Sequence, residues 1–178
     1  MPSKEIMNKD EMSRTLNRIV YQIVEDVKDA KEICLVGIRR GGAHLANRLN
    51  EIFKNEGYTN IQVGYLDITL YRDDLTTIAE YPVLHGTEIN FNIAGRHIVL
   101  VDDVMFTGRT TRAAMDALID LGRPEKISMA VLIDRGHREL PVQPDFVGKV
   151  VPTSMDELIE VSLEEQAGSD SVAIHKKP

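Results

Sequence analysis

Met12, Leu16, Ile19, Val20, Ile23, Val24 and Val27 recur at spacings of three and four, the stripe of an amphipathic helix that Asp10 is placed to cap. Ile33 to Ile38 is a short apolar run ending in Arg39-Arg40-Gly41-Gly42, and a helical pattern through Leu45, Leu49, Ile52 and Phe53 follows it as far as Gly57. That order reads as strand, turn, helix. Ile61 to Ile68 alternates as a second strand, after which Tyr71 to Gly95 is polar and broken by Pro82 and Gly86. So long an irregular stretch between strong flanking signals predicts a functional, flexible lid. Arg96 to Asp103 is an apolar strand ending in two acids; a helix carrying Ala114, Met115, Ala117, Leu118 and Leu121 stops at Gly122-Arg123-Pro124, and Ile127 to Ile133 is the next strand. Glu164 to Asp170 predicts an exposed turn before a last strand near Val172-Ala173-Ile174. Continuous apolar strands alternating with helices predict an α/β fold with a mostly parallel sheet buried on both faces. With no repeat and no linker, residues 1–178 read as one domain.

Composition narrows the function. A chain of 178 residues that is 43% apolar and 28% charged is an ordinary globular sequence, which excludes collagen-like, coiled-coil and wholly disordered readings. The net charge of −7 opposes any binding mode that needs a basic surface overall. The single cysteine, Cys34, lies inside an apolar run, so the expected compartment is reducing. The segment Met1 to Glu5 has no apolar core, and no run approaches the ~18 residues that span a bilayer, so the expected location is the cytoplasm, with no membrane partner.

The chemistry concentrates in Asp102-Asp103 and the loop Thr107-Gly108-Arg109-Thr110-Thr111 that follows. Two adjacent carboxylates after an apolar strand are costly to desolvate without partners, and open α/β sheets bind ligands beyond the carboxyl ends of their strands. Gly108 permits close backbone approach, the threonines supply hydroxyls, and the start of a helix favours an anion. Acids beside a phosphate nest imply a sugar phosphate, the acids serving hydroxyls and the nest the phosphate. Arg39-Arg40-Gly41, beyond the neighbouring strand, has the charge and the flexible turn of a pyrophosphate site.

An apolar strand, two acids and a Thr-Gly-x-Thr loop resemble the binding motif for 5-phosphoribosyl 1-diphosphate (PRPP) of the type I phosphoribosyltransferases. The likeness extends through Asp67 to Leu75, Arg112 to Leu118 and Asp134 to Pro141, and over nearly the whole chain it is to the PyrR family, regulators of pyrimidine operons with uracil phosphoribosyltransferase activity. The resemblance implies that fold, with a small hood and a lid loop. It assigns Asp102 and Asp103 to the ribose hydroxyls, Thr107 to Thr111 to the 5-phosphate, and Arg39, Arg40 and Gly41 to pyrophosphate. It also implies a cis peptide near Arg39-Arg40. The family has a basic residue, a threonine and an arginine before the glycine, so Arg40-Gly41 rearranges the charges and leaves open which arginine meets pyrophosphate. Mg²⁺ is expected to be held mainly by PRPP, with Asp102 and Asp103 beside it. Arg72, at the root of the lid, is expected to close over pyrophosphate.

Purine members of the fold carry an acid just before the Thr-Gly; here that position is Phe106, which points to a pyrimidine and so to uracil as substrate and UMP as product. Phe146 and Val147, in a segment matching the hood, are the other expected base contacts. The family also binds mRNA on a basic dimer face, for which Arg18, Arg138 and Lys149 remain. Asn17, Tyr21, Asp26 and Gln143 replace the threonine, histidine and basic residues of RNA-binding members, which weakens the RNA reading. A homo-oligomer is expected. The competing reading is a UMP-sensing regulatory RNA-binding protein with little or no catalysis.

Overall fold

The computed structural model describes residues 3–27, 32–73 and 86–177. Its centre is a five-stranded parallel sheet in the order β3-β2-β4-β5-β6, formed by β2 (Ile33–Ile38), β3 (Gln62–Leu66), β4 (His97–Met105), β5 (Lys126–Asp134) and β6 (Phe146–Val150). Helices α1 (Lys9–Asp26), α2 (Gly41–Asn55) and α3 (Arg109–Leu121) flank it. A second, antiparallel sheet in the order β1-β8-β7 joins β1 (Lys4–Asn8) to the hairpin of β7 (Glu157–Ser162) and β8 (Ser171–Lys176), with the short α4 (Glu164–Ala167) between the last two. This is the hood.

Side-chain alternation divides the core. On β2 and β4, Ile33, Leu35, Val99 and Val101 pack with Met12, Leu16, Ile19, Leu45 and Leu49 beneath α1 and α2. Cys34, Val36, Ile98 and Leu100 point the other way and meet Ala113, Ala114, Ala117 and Leu118 of α3. Truncating one of these side chains, Leu35→Ala for example, costs about 2–5 kcal/mol in a packed core of this kind. Cys34 is buried, and burial pushes its thiol pKa up, which makes it an inert core residue.

Several expectations are refined. Asn8, not Asp10, caps α1: its side chain accepts from the Glu11 amide at 3.0 Å while Glu11 accepts from the Asn8 amide at 2.9 Å, because β1 leads straight into the helix. β1 and β7 were not apparent in the pattern of apolar positions. Phe146 and Val147 lie not in the hood but in β6, the edge strand of the parallel sheet. At the root of the expected lid, Thr69–Tyr71 forms a single 3₁₀ turn, and within it Glu88 pairs antiparallel with Tyr65; residues 74–85, with Asp74, Leu75 and Pro82, lie outside the described residues.

Candidate active site

The parallel sheet ends in Asp102 and Asp103 on its central strand. Asp102 stands in one cross-strand row with Val131 and Val147, facing α3, and is 9% exposed. Burial, and then the adjacent Asp103 carboxylate, push its pKa well above the usual value of 3.8, while the Arg72 guanidinium pulls it down. The sequence-predicted Arg72 is thus within electrostatic reach of Asp102. Each acid also supports the backbone: the Asp103 amide donates to Asp102 Oδ1 at 2.9 Å, and the Val104 amide to Asp103 Oδ1 at 2.8 Å.

Asp103 alternates to the side of α2, whose first turn presses against it. Gly37 and Gly42 leave no room for a Cβ at the junction of β2, β4 and α2, which seats the helix start directly on the sheet. Consequently the Arg39-Arg40-Gly41 loop, which contains a cis peptide between Arg39 and Arg40, adjoins the acids. The two arginines differ. Arg39 donates to Glu88 Oε1 at 2.8 Å and to the Gly86 carbonyl at 2.9 Å, and its guanidinium lies 5.2 Å from the centre of the Tyr65 ring, so it is committed to the β3 edge.

On the other side, Gly108 adopts φ +92° as the N-cap of α3, a conformation that glycine reaches without penalty. By helix geometry the amides of Arg109, Thr110 and Thr111 have no acceptor four residues back, and among these the Arg109 amide reaches Thr107 Oγ1 at 3.3 Å. They form an anion cradle. The side chain of Arg109 turns elsewhere, to Asp73 at 2.9 Å and Glu139 at 2.8 Å. The segment after β5 braces the cradle, since the Glu139 amide donates to the Thr107 carbonyl at 2.9 Å.

Phe106, just before the cradle, is flanked by two residues the sequence did not single out. Arg135 lies over its face, 4.0 Å from the ring centre, and His137 meets it edge to face at 5.8 Å. His137 holds the left-handed conformation, φ 62°, which costs a residue of order 1 kcal/mol or more. A motif containing Asp134 to Arg138 was visible in the chain, but neither the burial of Arg135 nor the orientation of His137 has a local signal. Phe146 is corrected: it alternates to the α1 side and is buried in that core opposite Ala130, away from Asp102, so it packs the sheet and does not line the site. Val147 is on the Asp102 face.

The three cations considered for RNA are each tied to the protein. Arg138 donates to the Phe106 carbonyl at 2.8 Å and pairs with Asp134 at 2.7 Å, Arg18 donates to the Gly148 carbonyl at 2.6 Å, and Lys149 to the Ile6 carbonyl at 2.8 Å. Arg18 and Lys149 share a cleft with Arg14, whereas Arg138 is not part of its lining.

A family model described as a phosphoribosyl transferase domain matches residues 2–161. Bifunctional protein pyrR of Enterococcus faecalis is 52% identical over 176 residues, covering 99% of this chain and 98% of that one. Bifunctional protein PyrR of Pelotomaculum thermopropionicum is 54% identical over 170 residues, covering 96% and 94%, and that of Thermus thermophilus is 53% identical over 173 residues, covering 97% and 96%. Among solved structures, a hypoxanthine-guanine phosphoribosyltransferase of Bacillus anthracis superposes with a TM-score of 0.71 at 18% identity over 97% of this chain and 98% of that one, which establishes a shared fold only. The same holds for the Leishmania tarentolae enzyme solved with GMP, at a TM-score of 0.71 and 17% identity over 99% of each chain. The α/β architecture is therefore the type I phosphoribosyltransferase fold, and no described helix is long and apolar enough to cross a membrane. With its strand-end acids and helix-start cradle matched by a family model over most of its length, and with near-full-length relatives more than half identical to it, this chain belongs to the phosphoribosyltransferase family and, within that family, to the PyrR proteins.

Proposed function

We propose that the protein is a uracil phosphoribosyltransferase, converting uracil and PRPP to UMP and pyrophosphate. The observation that carries this reading is the convergence at one end of the sheet of the buried Asp102 and the half-buried Asp103, the Arg40-Gly41 turn and the amide cradle of α3, with an aromatic residue at Phe106 where an acid would suit a purine.

In the reaction the bond from ribose C1 to pyrophosphate breaks, a bond from C1 to uracil N1 forms, and the N1 proton is lost. Asp102 and Asp103 hold the ribose hydroxyls and stabilise the positive charge that develops at C1. The amides and hydroxyls of Thr107 to Thr111 hold the 5-phosphate, fixing C1 against the incoming base. Arg40 and the backbone of Gly41 take the pyrophosphate role because their turn abuts Asp103 at the end of the central strand. Arg72 completes the site from the lid root and helps exclude water. Phe106 and Val147 supply apolar walls for the ring.

Among the described residues no cluster of three or more His, Cys, Asp or Glu forms a metal cage. A lone pair of carboxylates fits Mg²⁺ that arrives with the oxygens of PRPP and keeps part of its water shell, and when bound it neutralises charge on the departing pyrophosphate. We place the protein in the cytoplasm as a homo-oligomer; a single cysteine, buried in the core where it serves no disulfide within the chain, supports the compartment.

The direct test is UMP formation from uracil and PRPP with Mg²⁺, using hypoxanthine and guanine as competing acceptors. Turnover restricted to uracil is the expected result; preference for a purine, or UMP binding without turnover, refutes the assignment. A second reading, UMP-dependent mRNA binding, is favoured by one observation: Arg14, Arg18 and Lys149, with one acid, Glu11, among them, line a cleft of about 400 Å³ between α1 and β6. Its cations are few and the net charge is −7, so RNA binding is the weaker activity.

A further inference from the structure

Arg135 is an unusual residue for the place it occupies. It directly follows β5, its amide donates to the Met105 carbonyl at 3.0 Å, and it is only 4% exposed. Among the described residues it forms no ion pair with a carboxylate. Its partners are neutral: Nε donates to Thr153 Oγ1 at 3.0 Å, and Nη2 donates to the carbonyls of Ser154 at 3.1 Å and Glu157 at 2.9 Å. The remaining partner is the face of Phe106. A guanidinium buried without a direct ion pair, with only the charge of the nearby Glu157 carboxylate offsetting its desolvation, is costly, and this one is retained where a planar group must satisfy several acceptors while lying flat on a ring.

The acceptors all belong to the connection that leads into β7, and Glu157 is the first residue of that strand. His137 reinforces the link, its Nε2 donating to the Thr153 carbonyl while its ring meets Phe106. Two side chains from the end of the parallel sheet therefore hold the ring of Phe106 and the entry to the hood as one assembly. Lysine could not replace Arg135 here, because an ammonium cannot serve Thr153, Ser154 and Glu157 in a plane and stack on the ring as well.

We propose that Arg135 is a positioning residue for base selection: it fixes the Phe106 ring and ties it to the hood, so that the wall and the cover of the uracil site keep one geometry. The inference rests on the reading of Phe106 as a base contact. It predicts an effect on the base and not on PRPP, whose cradle and acids lie on β4 and α3 and do not touch Arg135.

The test compares Arg135→Gln, Phe106→Leu and their double variant by steady-state kinetics, with thermal melting alongside. The expected result is a rise of about tenfold or more in KM for uracil in Arg135→Gln, with KM for PRPP within about twofold of the starting protein. Because both residues act through one ring, the double variant should be no worse than the more affected single one. If Arg135→Gln does not fold, Thr153→Val removes one acceptor and leaves the cation, and should raise KM for uracil alone by a smaller factor; Arg135→Lys should not restore it. Equal rises in both KM values, a fall in melting temperature without a KM change, or multiplicative effects in the double variant overturn the inference. Failure of the unaltered protein to make UMP overturns the reading beneath it, and the inference with it.

Discussion

Gly41 and Asp103 are packed so closely that a Cβ on Gly41 would fall 2.5 Å from Asp103 Oδ2. The turn assigned to pyrophosphate and the acid assigned to the ribose are therefore one steric unit, and any side chain at position 41 must displace the Asp103 carboxylate.

Gly41→Ala should accordingly lower kcat/KM by about 10–100-fold, because the displaced Asp103 no longer meets the ribose, while a small change in melting temperature shows the fold intact. Initial rates with saturating uracil and varied PRPP check this.

Asp103→Asn should reduce kcat by about two to three orders of magnitude by removing charge-assisted bonds in the transition state. Near-unchanged kinetics in this variant and in Asp102→Asn would remove both acids from the mechanism.

Asp102 should trade stability for function. Its pKa is raised in the folded state, so folding favours the neutral acid: the contribution is favourable below the unfolded value near 3.8 and is lost as pH rises through the raised value. At pH 7, Asp102→Asn should therefore raise the melting temperature of the ligand-free protein while cutting turnover. The stabilisation should shrink as pH falls and disappear in acid, which melting curves across pH measure.

The hood is anchored at its far end by Arg48, which pairs with Glu165 and with Asp170 and so lowers the pKa of both acids. Depressed acid pKa values stabilise above the unfolded values and lose that effect as pH falls through the folded ones. Arg48→Ala should cost about 1–2 kcal/mol at pH 7, after allowance for the partial exposure of Glu165, and much less in acid, where the starting protein has already lost the pairing. Denaturant titrations at the two pH values read the difference.

RNA binding, the weaker of the two activities proposed, should be weak at physiological salt even with UMP. Asp26 is paired with Lys126 at 3.2 Å, so Asp26→Lys both removes an acid and frees a cation, and should steepen the salt dependence of hairpin binding by about one unit or more. Gln143 accepts a bond from Arg138 at 3.2 Å, and a cation placed there would repel Arg138, making that substitution the less effective one. Filter binding across a salt series distinguishes the two. Tight, UMP-stimulated binding by the unaltered protein would show that Arg14, Arg18 and Lys149 suffice.

Strands β2 to β5 of the parallel sheet, the three flanking helices and the paired acids were legible in the sequence because each depends on local order: strand and helix periods, a glycine where φ must be positive, two acids at a strand end; β6 was not, its residues having been expected in the hood. Tertiary structure alone decided the rest. Arg39 is bound by Glu88, a partner 49 residues away that no local signal in the sequence announces. Phe146 has the same apolar character as Val147, and only the strand register turns it into the core and leaves Val147 on the Asp102 face. Three of the cations considered for RNA donate to acceptors up to 143 residues distant. Arg135 reads as one more charged residue after a strand until the hood folds over it. Periodicity reports which face a residue takes; it carries no record of which distant carbonyl, carboxylate or ring will close upon it, since those contacts form only when the two sheets pack together.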